Sequence, residues 1–478
     1  MVKCSSETSK LAESGAAATA PAPLWAKDLP LDQVIHRFTV GEDPDTDRVL
    51  LAHDCIGSAA HARMLAECGL LPEADLAALL PALKALHAEA LAGQLTITPE
   101  QEDGHTAIEQ ALVARVGEAG KRIHLARSRN DQVLLAMRLW LRQAVLTVAG
   151  RLQRLIASLL DLARRDQDVA LPGYTHLQRA MPSTVGLWAA GYAQGFTEEL
   201  EALTGVWTRL DRCPLGAAAG FGVPLPIRRE RVAELLGFAR VQAVVTDVIG
   251  SRGRHEQALL DAGASIAGQL EKLAWDLSLY TTAEFGFVVL PDAYTTGSSI
   301  MPQKRNPDVV ELLRGRAREL RSLRGLHAEL AGGLPGSYHR DHQLLKAPAV
   351  AFVRSLDAAL DITARVVGAL QFQPERAAAA VDDTLYATHV AYKRVAEGES
   401  FRDAYRAVAA QVLAGTLAVD RDALSASHTG AARELGLDAI AAEAETLMAG
   451  FRARAERIEA ATASVFNPEP LFDLPGTP

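Results

Sequence analysis

The sequence predicts an all-α protein whose core is a bundle of unusually long helices. Three observations carry this. The 478 residues are 49% apolar but only 5% aromatic, with Ala and Leu abundant, a mix that suits packed helices better than stacked sheets. Five stretches, 134–165, 184–212, 255–280, 309–330 and 348–370, contain no internal Pro and run for roughly 20 to 30 residues, longer than a typical globular helix. The connectors between them, 171–182, 213–229, 290–307 and 332–346, are instead polar and rich in Gly and Pro.

Taken in chain order, residues 45–92 read as mostly helical, with a break at Leu70-Leu71-Pro72. Glu73 and Asp75 then open a second helix, where early acids oppose the positive end of the dipole. Gly93 is a natural stop, 94–102 an irregular link, and 103–116 a further helix. In 134–165 only Gly150 weakens the pattern, whereas 184–212 carries several glycines. In 255–280, Leu259, Ile266, Leu270, Leu273 and Leu277 share one face, which Ala262 and Ala267 widen. Rods of about 30–45 Å result, and such rods bury their faces in bundles, often between subunits. After Phe372 the expectation is shorter helices through about Phe451, without repeats or strong strand alternation. The implied organisation is a disordered tail at 1–24, rich in Ala, Ser, Thr and Pro, a helical domain at 25–130, the long-helix bundle at 131–372, and a small helical domain at 373–478.

Composition also excludes. A net charge of −9 without a basic block argues against nucleic acid. No run of 18 apolar residues exists to span a membrane. Cys4, Cys55, Cys68 and Cys213 show neither a CxxC pair nor metal-ligand spacing, so they read as ordinary thiols in a reducing compartment.

The connectors hold the chemistry. Residues 297–307 read Gly-Ser-Ser-Ile-Met-Pro-Gln-Lys-Arg-Asn-Pro. Gly297 permits backbone freedom before two hydroxyls, and Lys304 and Asn306 are suited to hold a carboxylate. Asp308 and Glu311 then begin a helix, whose N-terminus favours anions. A polar turn capping that helix accounts for the same composition equally well.

This segment resembles the GSSxMPxKxN signature of the fumarase/aspartase superfamily, a match far more specific than a lone GxGxxG. Three further segments follow in the family's order: Glu102-Asp103-Gly104-His105-Thr106 resembles its EDxHT segment, Ser128-Arg129-Asn130-Asp131 its SRND stretch, and Gly173-Tyr174-Thr175-His176-Leu177-Gln178 its GYTHLQ loop. A fifth, Tyr338-His339-Arg340-Asp341-His342-Gln343-Leu344-Leu345-Lys346, resembles the YxxDxQxxK of the argininosuccinate lyases. The resemblance spans about 25–460.

It implies a homotetramer with active sites shared between subunits, in the cytoplasm, without metal or organic cofactor. The reaction implied is reversible β-elimination of argininosuccinate to L-arginine and fumarate by general acid–base catalysis. Ser298 becomes the base, and Lys304 and Asn306 ligands of the succinyl carboxylates. His105, Ser128, Arg129, Asn130 and Gln178 join the substrate contacts, while Tyr338, Gln343 and Lys346 contact the arginine half. His176, paired with Glu311, is the candidate on the acid side, and either His176 itself or Thr175 and a water delivers the proton. Residues 295–304 are expected to form a mobile lid. The blandest alternative for Arg129 and Asp131 is a solvated charge pair, and for the Arg-rich stretch 314–324 a wet or subunit-bridging face.

Two stretches depart from the family. Arg228 stands where an Asp is usual, and 244–254 lacks an Asn-Ser before Asp247, which leaves Arg252 and Arg254 as rivals for one substrate contact. A lyase of another fumarate–amine adduct, an adenylosuccinate lyase, a fumarase and an inactive crystallin-like relative are the competing readings. Tyr338, Gln343 and Lys346 argue against the first, the lack of a nucleotide-phosphate site against the second.

Overall fold

The computed structural model describes residues 32–421 and 426–467. The expected tail at 1–24 lies outside them. Short helices α1 (Gln33–Val40) and α2 (Asp43–Thr46) lead into α3 (Leu51–Glu67) and α4 (Glu73–Leu91), followed by α5 (Gly104–Val116) and α6 (Glu118–Arg122). The first rod is α7 (Arg129–Arg165), joined by a β1–β2 hairpin (Ala170–Thr175, Gln178–Thr184) to α8 (Val185–Leu210). After α9 (Arg229–Leu235) and α10 (Val245–Gly250) come the rods α11 (Arg254–Tyr280), α12 (Asp308–Ala331) and α13 (Lys346–Ala369). Short helices α14 (Pro374–Ala379), α15 (Ala387–Ala396) and α16 (Phe401–Ala414) precede α17 (Leu437–Val465).

All five expected rods form, and their apolar faces meet in one core. Leu152, Leu159, Phe196, Leu200, Leu259, Ile266, Leu320, Phe352 and Leu356 are all essentially sealed within it. At Gly263 two rods pack tightly: a Cβ there would lie 2.5 Å from the Phe352 ring, so the lack of a side chain lets α11 meet α13 at this point. Among the described residues α7 is the one helix with a stretch long and apolar enough to cross a membrane, but 72% of that stretch is buried inside the fold. A second core gathers α3, α4 and α5 with Cys213, Leu215 and the α9 segment.

Two expectations need correcting. The connector at 171–182 is an antiparallel hairpin with a bulge between Gly173 and Tyr174. Pro172 and Pro182 face one another in its register, so the alternating pattern that advertises a strand is missing. Nor are the helices after Phe372 all short. Helix α17 has 29 residues and returns to the bundle, where Ile440, Ala444, Met448 and Phe451 enter the main core. Only Ala391, Ala404 and Val408, on α15 and α16, form a small cluster of their own.

Candidate active site

The start of α7 is set by its sequence. Ser128 caps the helix through its hydroxyl, and Asp131 answers through its carboxylate, which accepts the Ser128 amide at 2.9 Å. The other oxygen of Asp131 accepts the Gly216 and Ala218 amides at 3.1 and 2.7 Å, clasping the 213–220 loop to the helix. Asp131 is fully buried, and burial pushes its carboxyl up to about 6 despite the three amides. The motif therefore divides: Ser128 and Asp131 fix the helix end, while Arg129 and Asn130 face a cleft. No solvated Arg129–Asp131 pair exists. Arg129 meets Asp103 at 3.1 Å and Glu102 at 3.5 Å and donates to the Thr106 hydroxyl at 2.8 Å.

That cleft also collects His105, Tyr338, Gln343 and Lys346, so six of the residues singled out in the sequence converge there. His105 Nδ1 lies 2.5 Å from an Asp54 carboxylate oxygen. Burial alone would make the ring harder to protonate, but the Asp54 charge outweighs it and holds His105 above the ordinary histidine range. Lys346 is buried between Asp47 at 2.5 Å and Asp43 at 2.7 Å. The second oxygen of Asp47 accepts the Gly104 amide at 3.1 Å. Burial lifts Asp43 to about 6, with Lys346 pulling the other way. Gln343 donates both amide hydrogens to the end of α1, at Thr39 O and Val40 O, 3.0 and 2.7 Å away. Tyr338 packs against Leu134, Ala217, Val248 and Ile249 and has no hydrogen-bond partner for its hydroxyl among the described residues.

The structure separates the two rival arginines. Arg252 lines the cleft, whereas Arg254 is paired with Asp247 at 2.9 Å. Arg228 is also removed from the site, on Glu67 at 2.5 Å. Arg314 stacks on Trp275 at 4.3 Å, and Arg321 and Arg324 pair with Glu271 and Asp261 of α11, each at 2.7 Å, so this stretch braces two rods.

The remaining residues form two other groups. Thr175 and Gln178 pair across the hairpin tip, and His176 and Leu177 between them both hold positive φ, at 54° and 57°. Two such residues are what a tight two-residue hairpin requires, a position usually given to Asn-Gly. All four are exposed. The third group is the 296–306 loop. Thr296 and Asn306 close its base through reciprocal backbone bonds of 3.1 and 2.9 Å. Within it the Ser298 hydroxyl oxygen accepts the Met301 and Ile300 amides at 3.1 and 3.3 Å. Two amides aimed at one oxygen favour its ionised form. Lys304 is exposed, as is Glu311, which lies 3.8 Å from Arg314. Gly297 is outside the left-handed region, and a Cβ there would meet nothing within 4 Å, so this conformation does not itself demand a glycine.

The rods keep the cleft apart from the other two groups. The cleft residues Arg129 and Asn130 begin the 37-residue α7, and the hairpin follows its other end, about 55 Å away at the helical rise per residue. The Ser298 loop precedes the 24-residue α12 and Tyr338 follows it, a separation of about 36 Å. Among the described residues, His176 and Glu311 of one chain make no contact with each other or with the cleft. Sequence reasoning missed Asp43, Asp47, Asp54 and Arg340. The only signal was the acid-rich Glu42-Asp43-Pro44-Asp45-Thr46-Asp47 run, which looks like the start of a helix.

Residues 30–321 match the model of a family described as lyase. The argininosuccinate lyase of Sorangium cellulosum (strain So ce56) is 46% identical over 396 residues, covering 82% of this chain and 91% of the relative. That of Stenotrophomonas maltophilia (strain K279a) is 42% identical over 428 residues, covering 89% and 99%. Among solved structures, EDDS lyase in complex with formate superposes with a TM-score of 0.75 at 22% identity, covering 90% of this chain and 94% of that one.

Proposed function

Because this chain belongs to the argininosuccinate lyase family, we propose that it cleaves argininosuccinate reversibly into L-arginine and fumarate, as a cytoplasmic homotetramer whose active sites each draw on several subunits. The observation that carries this reading is the cleft at the start of α7. It holds four carboxylates, Asp43, Asp47, Glu102 and Asp103, and four cations, Arg129, Arg252, Arg340 and Lys346. A substrate with three carboxylates, an ammonium and a guanidinium needs both signs.

The chemistry removes a weakly acidic proton beside a carboxylate while a guanidino nitrogen leaves the next carbon. Negative charge builds on that carboxylate, so donors fixed around it favour the transition state over the ground state. Arg129, with its planar fork, and Asn130 at the positive end of a 37-residue helix suit this position, joined by Lys304 and Asn306 of another subunit. Ser298 takes the proton. A neutral hydroxyl is a poor base, and the Ile300 and Met301 amides lower its affinity for its own proton. Closure of the 295–304 lid brings it to the substrate. His176, set against Glu311 of a neighbouring chain, serves the leaving nitrogen directly or through Thr175 and water, and Gln178 assists binding. Separation along α7 and α12 supports a shared site, since each runs as one unbroken helix between the groups at its two ends.

Mixing the purified protein with argininosuccinate and following fumarate absorbance tests the reaction. The expected result is stoichiometric release of fumarate and arginine. Fumarate release from another succinyl-amine but not from argininosuccinate would overturn the substrate assignment.

A further inference from the structure

Two groups in the cleft have unused capacity. Arg252 is 91% buried, being 9% exposed, and lines the cleft, yet its guanidinium has no hydrogen bond or ion pair among the described residues. Burying a cation without a partner is costly unless a ligand supplies one. Asp43 also lines the cleft, and only one of its carboxylate oxygens is engaged, by Lys346. Asp47 differs, since Lys346 and the Gly104 amide occupy both of its oxygens. The electrostatic influence of Arg252 reaches Asp43, but the two do not pair. A half-free carboxylate and a free guanidinium thus sit in the same cleft, within each other's field.

We propose that Asp43 is a specificity-determining residue that binds the α-ammonium of the substrate's amino-acid end through its free oxygen, while Arg252 takes the adjoining α-carboxylate. The inference rests on the lyase reading above and names which atoms select the amine partner. Lys346 then has a different part from a direct carboxylate ligand. Its ammonium is committed to Asp43 and Asp47 on both sides, so it acts as a positioning residue that holds Asp43 toward the cleft. The other charged groups lining the cleft are Glu102, Asp103, His105, Arg129 and Arg340. Of these, Asp103 and Glu102 face Arg129, His105 faces Asp54, and Arg340 donates to Thr39 O. That leaves Asp43 as the acceptor for an ammonium at this end.

The test runs the reaction toward addition, with fumarate and either L-arginine or 5-guanidinopentanoate, which lacks only the α-ammonium. The wild-type protein is expected to favour arginine at least about 30-fold in kcat/KM, on the scale of a lost charge-assisted hydrogen bond. In Asp43→Asn the preference collapses to within about 3-fold, through a higher KM for arginine, while the KM for fumarate is unchanged. Asp43→Ser, with an unchanged melting temperature, guards against a folding artefact and is expected to give the same collapse. Retention of the arginine preference in both variants, or an equal loss with both amines, would overturn the role of Asp43. Failure of the wild-type protein to join fumarate with arginine at all would instead sink the lyase reading.

Discussion

Ser298→Ala is expected to lower kcat by at least about 10³-fold while argininosuccinate still binds within a few-fold of wild type, because a general base contributes to the transition state and not to ground-state binding. The loop should survive the change. Its base is held by the Thr296–Asn306 backbone bonds, which do not involve Ser298, and the freed Ile300 and Met301 amides are exposed to water. Stopped turnover with intact binding, read by single-turnover kinetics and calorimetry, is the outcome that assigns the base. Wild-type-like turnover removes Ser298 from the mechanism.

Arg129→Gln is expected to reduce kcat/KM by about 10²–10³-fold, or about 3–4 kcal/mol of transition-state stabilisation, because a bidentate clamp is lost where charge develops. Part of the effect passes through Asp103. Burial would raise its carboxyl, but His105 and Arg129 hold it below the usual range, and removing one of them weakens that hold. Arg129→Lys separates fork from charge: it restores the cation but not two parallel hydrogen bonds, so only part of the activity should return. Equal activity of Gln and wild-type proteins would show that Arg129 merely braces Glu102, Asp103 and Thr106.

Much of this molecule was legible in its sequence because the informative signals were local. Helix ends follow from caps that lie within a few residues, such as Asp103 accepting the Thr106 amide and Ser128 with Asp131. The rods announce themselves through apolar spacing. The cleft acids did not, because what makes Asp47 functional is a lysine 299 positions later in the chain. Alone, Asp43 and Asp47 are acids near short helices, indistinguishable from surface residues. Asp54 was hidden in the same way, as an acid in the first turn of α3 until the structure sets it against His105. The hairpin escaped because its strands carry opposed prolines and a bulge, and α17 because what makes it part of the main core is contact with rods hundreds of residues earlier.

What the motifs themselves cannot state is which copies of the chain they join. Ser298 and Arg129 stand at opposite ends of rods in one subunit, so each variant above spoils a different contribution to a site. The direct measurement is to co-fold equal amounts of Ser298→Ala and Arg129→Gln chains and assay the hybrids. Shared sites predict that activity returns to about a quarter of the wild-type level, since random assembly pairs an intact loop with an intact cleft in one site of four. Hybrids no more active than either parent would show that the base and the clamp belong to the same chain, and would contradict the assembly of the site from separate subunits.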